Sequence, residues 1–306
     1  ETNMKKFAAL VLAGAMTLGL AACGGGNTST PAASSTPAAS TPATSTPAAS
    51  TGSDYASLDP VVLRGADSAG VGAAAQQLGE LVAEKVDAIT GGQLTVEYYP
   101  NSEMGGDMDI QQQMLDGTLD YVVLQTAPTV SFVPAVAVFD LPMVFAQYDG
   151  DTIDQVLNGD DSEFLKAIAP KYEEKNMKIL GYLQNATYRL TTSNVKLDTL
   201  DAFKGLQIRT MENQNHMAFW SALGAAPTPL AWPEVYISLQ NGTIDAQENA
   251  ADTCMTSNFQ EVQKYLNLTN HILYLNQIII NNDKFNSLDP LYQDALTQAV
   301  EEAIAE

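Results

Sequence analysis

Positive charge is what this sequence has least of. Fourteen lysines and arginines face 36 aspartates and glutamates, a formal net charge of −22, and only three of the bases are arginines: Arg64, Arg189 and Arg209. A surface of that sign repels phosphate backbones and anionic headgroups, which argues against nucleic acid as a partner. Cysteine and histidine are equally scarce, at two residues each. No HExxH, GxSxG, P-loop or Cys/His cluster can be assembled, so no metal site, no cofactor and no catalytic nucleophile with its base is expected. Cys254 reads as a small buried side chain, because no recognisable pattern joins it to His216 or His271. Acidic pairs such as Asp160-Asp161 and Glu301-Glu302 read as solvated surface.

Near the start, "MKKFAALVLAGAMTLGLAAC" from Met4 to Cys23 is too short in its apolar part for a membrane span. It has the basic start, apolar middle and small-residue end of a signal peptide. "LAAC" at 20–23 resembles the bacterial lipobox, in which the cysteine is lipidated and becomes the mature N-terminus. Residues 1–23 are therefore expected to be a lipoprotein signal peptide, with Cys23 as the lipidation site. The protein is expected to be exported, either lipid-anchored to the outer face of the cytoplasmic membrane or periplasmic. Residues 24–57 are expected to be a Ser/Thr/Pro/Ala linker that cannot bury apolar surface. In polyproline II form, roughly thirty residues at ~3.1 Å each would reach up to ~90 Å from a membrane anchor.

What is present from 58 to 306 is a chain able to bury a core, within a sequence that is 45% hydrophobic overall. "VVLRGAD" reads as a strand, and a helix follows over 72–89 with Leu78, Leu81, Val82 and Val86 on one face. "TGGQ" stops it. Next come strand "LTVEYYP", a helix near Ile110 to Asp116 and strand "YVVLQ". That βαβαβ order predicts a parallel sheet with helices on both faces. The second half alternates similarly, through "MKILGYLQ", "YRLTTS", "LQIRT" and a helix around Trp220, and "LYLNQIIIN" reads as a strand buried between two layers. The expected fold class is α/β, two-lobed, with a ligand cleft between lobes: lobe I about 58–186 and 275–306, lobe II about 187–274. Ligands of open α/β sheets sit beyond the strand C-terminal ends.

"GVGAAA" at 70–75 fits a dinucleotide-binding G-x-G-x-x-A, with Glu97 near the end of the next strand, but a tight strand-to-helix connection explains it equally. Arg189 and Arg209 are the stronger pair. Both stand in alternating strand-like segments, and a hairpin or adjacent-strand arrangement would bring both guanidiniums to one cleft wall. There each could grip a carboxylate through two parallel hydrogen bonds, or be neutralised by an internal Asp or Glu.

"VFDLPMVF", "YRLTTS", "LDAFKGLQIRT", "LGAAPTPLAWPEVYISLQNGTIDAQEN" and "FQEVQKYLNLTNH", in this order, resemble the solute-binding subunit of TRAP (tripartite ATP-independent periplasmic) transporters, the DctP family. The resemblance spans roughly 60–306. It implies a two-lobed, periplasmic-binding-protein-like (type II-like) receptor, not an enzyme. Such a receptor closes on an organic acid and delivers it to small and large membrane subunits for ion-gradient-driven uptake. By position, Arg209 matches the arginine that salt-bridges the ligand carboxylate and Arg189 a second pocket arginine. Asn249 matches a ligand-contacting asparagine, and Trp232 an aromatic near the ligand. Gln125, Ser68 and Asp107 fall at pocket-facing positions of the first lobe. The resemblance also implies a further helix that bridges the lobes, after the expected helix at "DALTQAVEEAIAE". "EMGGDMDIQQQ" departs from the family pattern, as does Glu212, three residues after Arg209. The competing readings are an exported dehydrogenase using the Gly70 turn and the receptor of an ATP-driven importer. The sequence names no ligand, although Trp232, Tyr182 and Tyr188 would suit a flat acid.

Overall fold

The computed structural model describes residues 55–184 and 187–306; the expected signal peptide, Cys23 and most of the expected linker lie outside them. The described strands form two five-stranded sheets. The first has the order β2 (Leu94–Tyr99), β1 (Val61–Asp67), β3 (Tyr121–Gln125), β10 (Asn276–Asn281), β4 (Met177–Leu183). Side chains alternate across it. Leu63, Val123, Ile278 and Ile280 pack on one face with Leu78, Val82 and Val86 of helix Ala74–Thr90 and with Leu296 and Val300 of helix Pro290–Ala305. Ala66, Val122, Leu124 and Ile279 belong to a second cluster on the other face, with Ile110 and Met114 of helix Asp107–Leu115. Helix Ala74–Thr90 stops at Gly91, whose left-handed φ of 61° lets its N–H reach the Asp87 carbonyl.

The sheet is mixed, not parallel throughout as expected. β1 is parallel to β2 and β3, but β10 is antiparallel to β3 and β4. The chain returns to this sheet from the second lobe, so β10 enters at the cleft end and must run against its neighbours. Its six residues are all buried, as an inner strand between two layers requires.

The second sheet has the order β7 (Ala226–Pro229), β6 (Gln207–Thr210), β8 (Ala246–Asn249), β5 (Leu190–Ser193), β9 (Tyr265–Asn267). The expected adjacency of the two arginine strands is not found: β8 lies between β5 and β6. β8 is buried at all four residues and takes the central place, while the segment containing the turn Leu200–Phe203 carries the chain across it. Two antiparallel crossings join the lobes. The Arg189 N–H donates to the Ile272 carbonyl at 2.8 Å, and the Tyr274 N–H to that of Thr187 at 2.8 Å. The molecule is thus of the expected two-lobed α/β class.

Candidate functional site

A narrow cavity lies between the lobes, at the C-terminal ends of β1 and β3. Lobe I contributes Ser68, Asp107, Gln125 and Asn276; lobe II and the crossing contribute Met211, Trp232, Thr253 and Tyr274. Four of the expected site residues, Ser68, Asp107, Gln125 and Trp232, therefore share one wall set. The other three do not line it: Arg189 and Asn249 contact Gln125, and Arg209 contacts Trp232.

The two cleft arginines have opposite situations. Arg209 is buried at 1% exposure, in a strand flanked on both sides. Its Nε and Nη2 donate to the Leu230 carbonyl at 2.9 and 2.7 Å, and its guanidinium lies 5.5 Å from the Trp232 ring centre. Nη1 is buried with no partner. No described carboxylate pairs with it. Burial pulls its pKa down to about 10, partly offset by the more distant Glu248 and Asp107. A buried cation with an unsatisfied donor is costly, and an incoming carboxylate would relieve that cost.

Arg189 is neutralised internally, the alternative left open for both arginines. Its Nε and Nη2 grip both Glu248 carboxylate oxygens, and its Nη1 donates to Gln125 Oε1. Burial alone would lower its pKa, but the Glu248 charge raises it. With Nε and Nη2 on Glu248 and one Nη1 N–H on Gln125, Arg189 positions Gln125.

Glu248 is the central residue that sequence reasoning missed. It is fully buried in β8, with His271 Nε2 at 3.2 Å and His216 Nδ1 at 3.7 Å. Burial would raise its carboxyl pKa, but Arg189 and the two histidines hold it well below the usual range. His216 also lies 3.1 Å from Asp140 of lobe I; burial would lower its pKa, yet Asp140 and Glu248 raise it. For His271, burial prevails and the pKa falls.

Asn249 donates to Gln247 Oε1 at 3.2 Å and meets Gln125 at 3.5 Å, a structural position at the back of the cavity. Ser68 Oγ donates to Asp107 Oδ1 at 2.5 Å. Burial pushes the Asp107 pKa up to about 6, against the lowering effects of Ser68 and Arg209. Glu212 is half-buried and acts electrostatically on both Arg209 and Asp107. Tyr182 is not in the cavity: its hydroxyl donates to Tyr172 in the lobe I core, so it cannot serve a flat ligand. Asn276, Thr253 and Tyr274 were also missed. Asn276 had a signal, a polar residue opening an apolar strand.

The "GVG" turn closes the cleft instead of cradling phosphate. A Cβ on Gly70 would lie 3.4 Å from Ser257 Oγ, and one on Gly72 3.9 Å from Thr256 Cγ2, so lobe II occupies the approach to this turn. On another side of the cleft, a Cβ on Gly106 would lie 3.4 Å from that of Ala231. A larger cavity exists beside the outer edge of β4, but Asp151, Asp154, Asp160 and Glu301 line it without a cation, which suits no anion.

Residues 66–306 match the model of bacterial extracellular solute-binding protein family 7, DctP. The 2,3-diketo-L-gulonate-binding periplasmic protein YiaO of Escherichia coli is 32% identical over 230 residues, which cover 75% of this chain and 67% of that protein. The sialic acid-binding periplasmic protein SiaP of Vibrio cholerae is 29% identical, over 76% of this chain and 71% of its own length. Among solved structures, the sugar acid binding protein DctPAm of Advenella mimigardefordensis, in complex with galactonate, superposes with a TM-score of 0.74 at 28% identity, covering 81% of this chain and 78% of that one. By family match, identity and shared two-lobed fold, this chain belongs to the DctP family of TRAP-type extracellular solute-binding proteins.

Proposed function

We propose that the protein is the extracytoplasmic receptor of a TRAP transporter and binds an organic acid through a salt bridge to Arg209. The observation that carries this reading is the buried Arg209 Nη1, a charged donor without a partner, on a guanidinium packed against Trp232 of the interlobe cavity. Relatives support the ligand class: those matched bind diketogulonate, sialic acid or galactonate, all organic acids. The acid enters the open cleft, its carboxylate meets Arg209, and lobe closure excludes water and strengthens the pair. Closure is held by Asp140 of lobe I, which accepts hydrogen bonds from Asn213 and Asn215 of lobe II at 2.8 and 2.9 Å. The closed receptor then delivers its ligand to the small and large membrane subunits. Cys23 anchors it by lipid to the outer face of the cytoplasmic membrane, and residues 24–57 act as the tether.

Cys254 gives an enzymatic reading no support. Burial pushes the Cys254 thiol up to about 12 although Gln247 donates to its sulfur, so it is not a thiolate nucleophile at neutral pH. Calorimetric titration with a panel of mono- and dicarboxylates, keto acids and sugar acids, plus a dinucleotide, tests the reading. An acid is expected to bind, and Arg209→Ala to weaken it by at least ~2 kcal/mol, because a desolvated pair loses one partner. Unchanged affinity in that variant, or binding of the dinucleotide alone, refutes it.

A further inference from the structure

One buried imidazole stands between two carboxylates, one from each lobe. His216 is 2% exposed, on helix Gln214–Ala222 of lobe II. Its Nε2 lies 3.1 Å from Oδ1 of Asp140, the last residue of the lobe I turn Pro134–Asp140, and its Nδ1 lies 3.7 Å from Glu248 Oε1 in β8. A neutral ring has one N–H, so it donates to one of these oxygens while its other nitrogen turns a lone pair towards a carboxylate. Among the described residues, Nδ1 makes no hydrogen bond. An imidazolium presents an N–H to each carboxylate. His271 differs: its Nε2 lies 3.2 Å from Glu248 Oε2 and its Nδ1 3.0 Å from the Thr269 hydroxyl, so one N–H and one accepted hydrogen bond satisfy it uncharged.

The local charge balance agrees. The charged and titratable groups facing His216 are Asp140 from lobe I, Glu248 and Arg189 from the second sheet, and His271 beside the crossing. Arg189 neutralises Glu248. With the cleft closed, a protonated His216 therefore balances Asp140, whereas a neutral ring leaves one buried anion over, which is costly. Opening withdraws Asp140 with lobe I. Arg189 and Glu248 then balance each other, and the proton on His216 becomes the surplus charge. On the reading that the lobes close on an organic acid, we infer that His216 takes up a proton from solvent as the cleft closes, making it a positioning residue whose charge holds lobe II to Asp140. In the closed form burial opposes that charge, but Asp140 and Glu248 outweigh it, and Arg189 with it, so the pKa is raised. A pKa higher closed than open favours closure fully below the open-state value, and the advantage is lost as pH rises through the closed-state value. Acid affinity should fall with pH in that window, by up to about tenfold per pH unit where one full proton is taken up.

The test uses the full chain and the tightest-binding acid of the panel above, beginning with galactonate, succinate and pyruvate. Calorimetric titration at about pH 6, 7 and 8, in two buffers of different ionisation enthalpy, counts the protons taken up per acid bound. Uptake of up to one proton is expected, with affinity falling as pH rises. Asp107, with a pKa of about 6, adds uptake mainly at the acid end, so variants are compared at about pH 7 to 8. There His216→Gln, whose amide keeps a donor but binds no proton, is expected to lose the uptake and to flatten affinity against pH, and Asp140→Asn to lose the uptake as well. The chain has only two histidines, so NMR of the ring nitrogens reads the same event in the wild type, whether or not a variant folds. His216 should be more protonated with saturating acid than without it, and His271 neutral in both. Acid binding with no proton uptake, uptake unchanged in His216→Gln, or a His216 ring indifferent to the acid overturns this inference and leaves the receptor reading standing. Failure of every acid to bind overturns both.

Discussion

At the residue scale, the two cleft arginines are chemically identical and energetically opposite. Arg189 is paired with Glu248 at nearly zero exposure, whereas Arg209 has only one backbone carbonyl and an unpaired Nη1. Glu248→Gln is therefore expected to leave an uncompensated buried charge and to destabilise the empty protein by about 3–5 kcal/mol in denaturant unfolding. Arg209→Met removes a charge that was never paired. Its stability should stay within ~1 kcal/mol of wild type or rise, while organic-acid affinity collapses. If both variants unfold alike, the contrast is wrong. Asp107 gives a pH signature. Its folded pKa is raised by burial from 3.8 to about 6, so the stability it contributes is complete below about 3.8 and is lost as pH rises through about 6. Asp107→Asn lacks that loss. The melting temperature of the variant minus that of wild type should increase between pH 4 and pH 7. A flat difference would assign Asp107 an ordinary folded pKa.

At the element scale, the strand-to-helix connections of lobe I set how far the cleft closes. Gly106, the residue before helix Asp107–Leu115, has φ −78°, so it is a glycine for space and not for backbone freedom. A larger side chain there would strike Ala231 of lobe II, since even a Cβ would lie 3.4 Å from its Cβ. Gly106→Val is expected to hold the lobes apart and to cost about tenfold or more in ligand affinity through the lost closed state, with little change in melting temperature. Small-angle scattering with saturating ligand should show the variant remaining more extended than wild type. An affinity like that of wild type would remove this glycine from the closing contact. The strands "YVVLQ" and "LYLNQIIIN" were legible because buried inner strands need unbroken apolar runs. The antiparallel direction of β10 was not, since an apolar run reads the same either way. The insertion of β8 between the two arginine strands was also illegible, because pairing across a sheet depends on packing between segments distant in sequence.

At the scale of the whole molecule, a net charge of −22 opposes the approach of an anionic ligand. Salt screens that long-range repulsion far more than it screens a buried pair at Arg209. Stopped-flow association of the acid should therefore accelerate as ionic strength rises from ~10 to ~150 mM, with dissociation changing much less. Slower association with added salt would mean that a local positive potential at the cleft governs capture. Closure joins the lobes through polar groups that include Asp140 with Asn213 and Asn215, and Arg189 with Gln125. Those contacts tie the cavity walls to the crossing segments at 187–189 and 272–274.

The amino-acid sequence by itself determined the alternation of strands and helices, the acidic surface, and the rarity that singled out Arg209. These are local or summed properties, set by periodicity and composition. Tertiary structure alone decided which arginine was free. That depended on Glu248 lying opposite Arg189 and on no carboxylate lying within reach of Arg209, a matter of through-space pairing between residues 59 positions apart. It also decided that Asp107 and the Asn276 oxygen share a cavity with Trp232, because that neighbourhood exists only once two sheets, built from interleaved parts of the chain, are brought together.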